Sequence, residues 1–151
     1  MKPLSREDIA YAAGFFDGEG CVSIQQRPAR CKSPDYTLNV RVGNTNLAVL
    51  EWFRERFGGA IYSQLTTGNR KPSWHWHLGN RKAVDFLLIV KPFIQVKLPQ
   101  VVLAEAYVSL NGKRDPSVRA VFRGRMNELN HRGVREQNGE RTASVTIPLT
   151  H

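Results

Sequence analysis

The sequence predicts an α+β fold in which helices cover one face of an antiparallel sheet. Two observations predict it. Apolar residues recur at helical spacing near the N-terminus, in a central segment and after Asn80, whereas two pairs of short segments between them alternate apolar and polar residues as strands do. Each pair is joined by a polar, turn-rich stretch, which is typical of a hairpin. Helices on one face leave the other face of such a sheet open.

The composition is that of one basic folded domain. A chain of 151 residues with 41% hydrophobic content is long and apolar enough to bury a core. Lys and Arg number 22 against 13 Asp and Glu, giving a formal charge of +9. Such a charge favours a polyanionic partner or simply keeps the surface soluble, and only the positions of the charges can decide between the two.

The cysteines and the N-terminus indicate the compartment. Cys21 and Cys31 have no Cys or His cluster at metal-ligand spacing, so we interpret them as reduced thiols of an intracellular protein. Neither a signal-peptide pattern nor an apolar run of membrane-spanning length is present in the sequence. We expect a cytoplasmic or organellar protein that is not secreted and has no membrane partner.

The first half of the chain predicts a helix, a hairpin and a second helix. Ser5 and Asp8 form a capping-box pattern that opens a helix, and Gly18 and Gly20 end it. The segments "CVSIQQR" and "YTLNVRV" then alternate as two strands. "NLAVLEWFRERF" restores helical spacing up to the stop at Gly58.

The second half repeats the hairpin and continues as helices. "AIYSQLT" and "SWHWHL" alternate as strands, and three helical segments follow: "RKAVDFLLIV", "PQVVLAEAYVSL" and "PSVRAVFRGRMNEL". We therefore predict one domain over residues 1–130. Residues 131–151 are polar and are expected to form a flexible tail, although "ASVTIPLTH" could pair as a short strand.

The alternation assigns each strand residue to a face of the sheet. The helix-facing set is apolar and comprises Val22, Ile24, Leu38, Val40, Trp74, Trp76 and Leu78. The opposite set is polar and positive, and comprises Ser23, Gln25, Arg27, Thr37, Asn39, Arg41, Tyr62, Gln64, Thr66, His75 and His77. Gln, Asn and Arg match purine edges in the major groove, which admits a β-ribbon. An ordinary solvated face explains the same pattern, and the "HWH" spacing also permits a two-histidine metal site.

The first helix carries small residues and ends in carboxylates. Ala10, Ala13, Gly14 and Asp17 fall at i, i+3, i+4 and i+7, a narrow stripe on which two helix backbones can approach. Asp17 and Glu19 lie at the negative end of the helix dipole, where anions are disfavoured by about 0.3–1 kcal/mol each. Lys or Arg could compensate for this charge, but two facing helices that deliver carboxylates near a positive surface fit a hard divalent cation bridging to phosphate better.

The stretch "AAGFFDGEG", residues 12–20, resembles the LAGLIDADG motif of homing endonucleases. Ala13, Gly14, Asp17 and Gly20 match identically, and "KPFIQVK" resembles the family segment that leads to a catalytic lysine. The order of elements over residues 5 to 110 is also that of the family. The resemblance implies the αββαββα homing-endonuclease fold, with the sheet as a DNA-binding saddle and extra C-terminal helices.

The resemblance also implies an active site. Glu19 would be the metal-binding carboxylate, assisted by the backbone carbonyl of Gly18, and Lys97 would be the active-site lysine. Asn44 falls where the family often places a polar residue that holds water or metal. Glu19 replaces the usual Asp, and Ala12 replaces the first Leu. The implied cofactor is Mg²⁺, with Mn²⁺ expected to substitute and Ca²⁺ expected to support binding with little cleavage.

Only one such motif occurs, and family members with one motif are homodimers. The implied function is intron homing by a metal-dependent endonuclease that makes a double-strand break in a long, pseudo-palindromic DNA target. The interface is expected at Ala10, Ala13, Gly14 and Asp17. Basic residues in two loops are expected to grip phosphates, namely Arg30, Lys32, Arg70 and Lys71.

Two other functions stay open from the sequence. A DNA-binding regulator or an intron maturase could use the same scaffold without cleavage, although a pure binder needs neither Glu19 nor Lys97. A basic structural protein with no nucleic-acid role is the third possibility.

Overall fold

The computed structural model describes residues 3–28, 35–64, 67–110 and 115–139, with side chains up to His131. Its helices and strands follow the predicted order. They are α1 (Arg6–Glu19), β1 (Gly20–Arg27), β2 (Asp35–Asn44), α2 (Leu47–Phe57), β3 (Ala60–Gln64), β4 (Ser73–Gly79), α3 (Asn80–Val90), a 3₁₀ turn (Lys91–Phe93), α4 (Leu98–Ser109) and α5 (Pro116–Gly139). The α+β class is confirmed.

Helix α1 begins at the predicted capping box and runs directly into the sheet. The Asp8 amide donates to Ser5 Oγ at 3.0 Å, and the Ser5 amide donates back to the Asp8 carboxylate at 3.4 Å. At the other end Gly20 both caps α1 and starts β1. A Cβ on Gly20 would collide with the ring of Phe16, so only glycine lets the chain turn this closely over its own helix. The end of α1 is therefore fixed against the sheet.

The four strands form one antiparallel sheet in the order β1-β2-β4-β3. The two hairpins thus meet through β2 and β4, which occupy the centre. Val40 lies opposite both Val22 on β1 and Leu78 on β4. Residues 39–42 of β2 are therefore paired with a strand on both sides.

The core lies between the sheet and the helices. Trp76 of β4 is fully buried, with its ring centroid 5.0 Å from that of Phe53 on α2 and 5.2 Å from that of Phe86 on α3. Phe16 of α1 stacks edge-on against Phe86 at 5.3 Å. The predicted helix-facing set is confirmed: six of its members are at most 2% exposed, and Trp74 is half-buried. Aromatic packing thereby holds three helices against one face.

Helices α4 and α5 pack against the first hairpin, β1 and β2. The Tyr107 hydroxyl donates to the Tyr36 carbonyl at 3.2 Å, and Asn130 Nδ2 donates to the Val22 carbonyl at 2.9 Å. Helix α5 continues to Gly139, beyond residue 131 where the sequence predicts the tail to begin. The predicted short strand in "ASVTIPLTH" lies outside the described residues. Within the described ranges, none of the helices is long and apolar enough to cross a membrane.

Candidate functional site

The carboxylate of Asp17 anchors the turn that precedes α4. Its Oδ2 accepts hydrogen bonds from the amides of Gln95 at 2.8 Å and Val96 at 3.3 Å, and its Oδ1 accepts one from the amide of Lys97 at 3.1 Å. In the same contact the Lys97 ammonium donates to the backbone carbonyl of Asp17 at 2.6 Å. Residues 80 positions apart in the chain are thus joined in both directions.

This contact supplies the positive charge that the end of α1 requires. The last turn of α1 contains no basic residue of its own. Lys97 places an ammonium on one of its terminal carbonyls, where a cation is favoured. A lysine of the chain itself thus compensates this helix end at Asp17, whereas the divalent cation that the sequence favours there stays a prediction. Asp17 is half-buried and bonded within its own chain, and its expected place in a dimer contact stays a prediction.

Glu19, the last residue of α1, differs from Asp17 in being exposed. Among the described residues it has no hydrogen-bond or ion-pair partner. Gly18 beside it is also exposed. A carboxylate and a backbone carbonyl are the oxygen donors that hard divalent cations take. The described part of the chain has no group of three or more His, Cys, Asp or Glu placed to hold a metal.

Asn44 lies at the same end of the sheet as the motif. Gly20 is paired with Val42, and Asn44 is two residues further along β2. Its side-chain oxygen accepts from the Asn46 amide at 2.7 Å, which helps to turn the chain into α2. That oxygen has a second lone pair, so both the oxygen and the amide nitrogen of Asn44 can make a further hydrogen bond, for example to water.

The open face of the sheet is concave. It encloses about 660 Å³ and is lined by polar and aromatic side chains from all four strands: Cys21, Ser23, Gln25, Asn39, Arg41, Tyr62, His75 and His77. The lining contains Arg41 and lacks any Asp or Glu, so the face is positive. Cys21 was not among the predicted residues, although the alternation of positions 21, 23 and 25 places it there.

Most of the predicted face residues are accessible, but two are not. Gln25, Arg27, Arg41 and Gln64 are exposed, and Ser23 is half-buried. Thr37 and Asn39, which were expected to be displayed, are only 4% exposed. Both belong to the central strand β2: Asn39 pairs with Ser23 on β1 and Gly79 on β4, whereas Thr37 pairs with Gln25 on β1 alone. Asn39 is covered by His77, whose Nε2 lies 2.8 Å from its Oδ1.

His75, His77 and Tyr62 form an aromatic group on this face. The Tyr62 ring lies 5.5 Å from that of His75 and 6.4 Å from that of His77. Burial and the positive charge of Arg41 lower the pKa of His75, and burial together with Arg27 and Arg41 lowers the pKa of His77. Both histidines therefore favour the neutral form, so the charge of the face comes from its arginines.

The basic loops are described in part. Arg70 and Lys71, in the connection between β3 and β4, are exposed. Arg30, Lys32 and Thr66 lie outside the described residues, as does Cys31.

The outer surface of α1 differs from the predicted stripe. Ala13 is fully buried within its own chain, so it does not lie on an exposed surface of α1. Gly14 and Gly18 are exposed, and a Cβ at either position would meet nothing within 4 Å. With the half-buried Ala10 they form a small-residue stripe at i, i+4 and i+8. Helical spacing is compatible with both the predicted stripe and this one. The packing of α1 on the core determines which of the two is exposed to solvent.

Comparison with solved structures identifies the fold. The homing endonuclease I-CvuI, solved with uncleaved DNA in the presence of Mg, is 20% identical with a TM-score of 0.69, covering 82% of each chain. The archaeal intron-encoded homing endonuclease I-Vdi141I, complexed with DNA, is 21% identical with a TM-score of 0.63, covering 86% of this chain and 84% of its own. The LAGLIDADG meganuclease I-AabMI, bound to uncleaved DNA, is 19% identical with a TM-score of 0.52, covering 68% of this chain and 36% of its own. No family model matches the sequence, and no curated protein sequence does.

Proposed function

We propose that this chain, which has the fold of LAGLIDADG homing endonucleases, is a homodimeric, divalent-metal-dependent DNA endonuclease. Its substrate would be a long, pseudo-palindromic double-stranded target in which it makes a double-strand break. The observation that carries the proposal is the junction of α1 with the 95–97 turn. There a lysine ammonium is held on the Asp17 carbonyl, and the motif continues to Glu19, which is exposed and has no partner among the described residues.

The held lysine has the features needed to act on a phosphate. An ammonium has three donors, and the Asp17 carbonyl takes one of them. The remaining donors are free to bind a non-bridging or leaving oxygen of the scissile phosphate. Because the backbone of Lys97 is also fixed by the Asp17 carboxylate, little reorganisation is required as charge develops.

Glu19 and the carbonyl of Gly18 would bind the cation. Both donors are oxygen, as Mg²⁺ prefers, and the negative charge of Glu19 has no counter-charge within the described part of the chain. When bound, the cation would acidify a nucleophilic water and neutralise charge on the phosphate. The amide nitrogen of Asn44 would orient water at the same end of the sheet. Neighbouring structures of I-CvuI with DNA were obtained with Mg and with Ca, which is consistent with divalent metal use.

The exposed stripe on α1 supports a two-fold dimer. Ala10, Gly14 and Gly18 would let the two α1 backbones approach closely, and each subunit would bring one Glu19 to the pair of sites. Two single-carboxylate sites become adjacent in this arrangement, one for each DNA strand. The two concave faces would then read two related half-sites, which requires a target that is nearly palindromic.

The concave face would read bases, and its margins would hold the backbone. Gln25, Arg41 and Gln64 carry paired donors or acceptors that suit base edges. Arg70 and Lys71 would contact phosphates, which gives affinity that falls with salt.

Cleavage by matched variants tests the proposal. A randomised duplex library is incubated with the full chain in Mg²⁺ or Mn²⁺, and cut molecules are selected and sequenced to define the target. Glu19→Gln keeps the side-chain shape but loses the charge that holds the cation, so it should abolish cleavage and leave target binding in Ca²⁺ intact. The control is Glu51→Gln, the same change at an exposed site on α2, which should cut as the wild type does.

The other outcomes separate the rival functions. Binding of a DNA or RNA by the wild type without cleavage in either metal would identify a regulator or a maturase. Absence of nucleic-acid binding even at low salt would support the alternative that the chain is a basic structural protein. Cleavage by Glu19→Gln at the wild-type rate would show that the motif is not part of the active site.

A further inference from the structure

Asn39 and His77 are hydrogen-bonded to each other and lie at different depths on the open face of the sheet. Asn39 was expected to face the DNA, yet it is only 4% exposed. His77 lies over it, half-buried, and lines the concave face. Asn39 is thus too deep to meet a base edge, whereas the ring that covers it is on the surface that a base would approach.

The orientation of the Asn39 amide is fixed by the backbone. One end of the amide lies 3.4 Å from the Thr37 carbonyl, and the other end lies 2.8 Å from His77 Nε2. A carbonyl oxygen only accepts, so the amide atom that faces it is the donor Nδ2. The oxygen Oδ1 must then face His77.

This orientation determines which ring nitrogen of His77 carries the proton. Asn39 Oδ1 is an acceptor, so Nε2 must be protonated to make the 2.8 Å contact a hydrogen bond. In the neutral ring, Nδ1 is then an acceptor. Among the described residues no protein atom bonds to His77 Nδ1, and it does not belong to the buried unpartnered atoms.

We propose that Asn39 is a positioning residue that holds His77 with its proton on Nε2, so that Nδ1 accepts a hydrogen bond from an exocyclic amino group of cytosine or adenine in the major groove. The proposal rests on the proposed DNA-binding function and deepens it. Cytosine N4 and adenine N6 are the amino donors exposed in that groove, whereas guanine O6 and thymine O4 are acceptors and would repel Nδ1. His77 should therefore discriminate amino from keto bases at one position of each half-site.

The surroundings keep the ring neutral, as this task requires. Arg27 on β1 and Arg41 on β2 supply positive charge near His77, and His75 on its own strand is also neutral in this environment. Tyr62 on β3 contributes an uncharged ring edge at 6.4 Å. Burial and the two arginines lower the pKa of His77, so the acceptor at Nδ1 persists near neutral pH.

The tautomer can be measured in the free protein without any DNA. Long-range ¹H–¹⁵N spectra of the full, uniformly labelled chain near neutral pH should show His77 with a protonated Nε2 and an unprotonated Nδ1. A proton on Nδ1, or a doubly protonated ring, would overturn the proposal whatever the chain binds. This measurement does not depend on the folding of a variant.

Base preference supplies the second test, by binding in Ca²⁺ to the selected target and its single-base variants. Asn39→Asp places a carboxylate against Nε2 and favours a ring with two donors, so the preferred base should change from cytosine or adenine to guanine or thymine, by about tenfold. Gln64→Glu is the matched control: it is the same amide-to-carboxylate change on the same face, but Gln64 bonds to Ser73 rather than to His77. It should weaken binding and leave preference at the His77 position unaltered.

His77→Phe keeps the ring and removes the acceptor, so it should lose the amino preference at that position. Target binding with a wild-type preference in both His77→Phe and Asn39→Asp would overturn the proposal and leave the proposed function intact. A wild-type chain that binds no DNA would overturn both.

Discussion

Replacing Asp17 by Asn tests whether the motif carboxylate holds Lys97, the lysine proposed to act in cleavage, in place. The carboxylate accepts three backbone hydrogen bonds, from the amides of Gln95, Val96 and Lys97. An asparagine has one acceptor oxygen, so its best orientation keeps the two bonds made by Oδ2 and turns an NH₂ toward the Lys97 amide. The hydrogen bond from the Lys97 amide to Oδ1 is thereby replaced by a contact between two N–H donors.

The structure sets the size of the effect. The bonds to Gln95 and Val96 are exposed, so water replaces part of what they lose. The bond from the Lys97 amide is partly buried, and losing a hydrogen bond to a charged group costs about 1.5–3 kcal/mol. We expect the free energy of unfolding to fall by about 2 kcal/mol. For a chain of this size that is a decrease in Tm of about 4–8 °C.

Unfolding and cleavage are measured on the same preparation. Urea titration gives the loss of stability, and single-turnover cleavage should slow by at least about tenfold, because the lysine is no longer fixed although it is still present. The control is Asp85→Asn on α3, which removes an exposed i,i+4 pair with Arg81 worth about 0.3–0.5 kcal/mol. If Asp17→Asn were no less stable than Asp85→Asn and cut at the wild-type rate, the role given to this carboxylate would be refuted.

Three further perturbations test the dimer, the concave face and its histidines. Gly14→Leu meets no neighbour within its own chain but would overfill a close contact between two α1 helices. It should therefore fold, as judged by circular dichroism, and sediment as a monomer. A dimeric variant would contradict the proposed role of the small-residue stripe in the dimer. Arg41→Ala should change base preference, by about 1–3 kcal/mol per lost bidentate contact. Lys71→Ala should weaken binding to all targets equally and reduce the dependence of affinity on salt concentration. An unaltered base preference for Arg41→Ala would show that the face is wrongly assigned. Because the folded pKa values of His75 and His77 lie below the unfolded value of 6.5, the unfolded chain binds more protons, and the free energy of unfolding should decrease as pH falls below that value. Substituting Gln for both histidines should reduce this decrease, and an unchanged pH profile would contradict the lowered pKa values.

Alternation in the sequence was enough to predict the faces of the sheet but not the depth of each residue. Val22 and Ile24 are buried and Gln25 is exposed, as a period of two requires. Asn39 was assigned to the correct face and is nevertheless covered. Its cover depends on the pairing of β2 with β4, and the same face pattern is compatible with other strand orders.

The sequence drew attention to Asp17, which matches the motif, and to Lys97, which the resemblance implies as the active-site lysine, but not to the contact between them. No local pattern indicates that a carboxylate will bond to amides almost eighty positions later. The error at Ala13 has a different origin. Neighbouring stripes on one helix both satisfy the spacing rules, and only the packing of α1 on its own core reveals which stripe is exposed.

The bond from Asn130 to the Val22 carbonyl has a consequence for shortening the chain. Val22 belongs to β1, an outer strand of the sheet, and α5 lies against that strand. An uncovered outer strand offers unpaired backbone groups as a template for strands of other molecules. A chain cut before α5 would keep the motif, both hairpins and Lys97, but the edge strand β1 would be exposed. We expect such a fragment to aggregate by intermolecular pairing of β1, and we expect α5 to prevent this pairing in the longer chain.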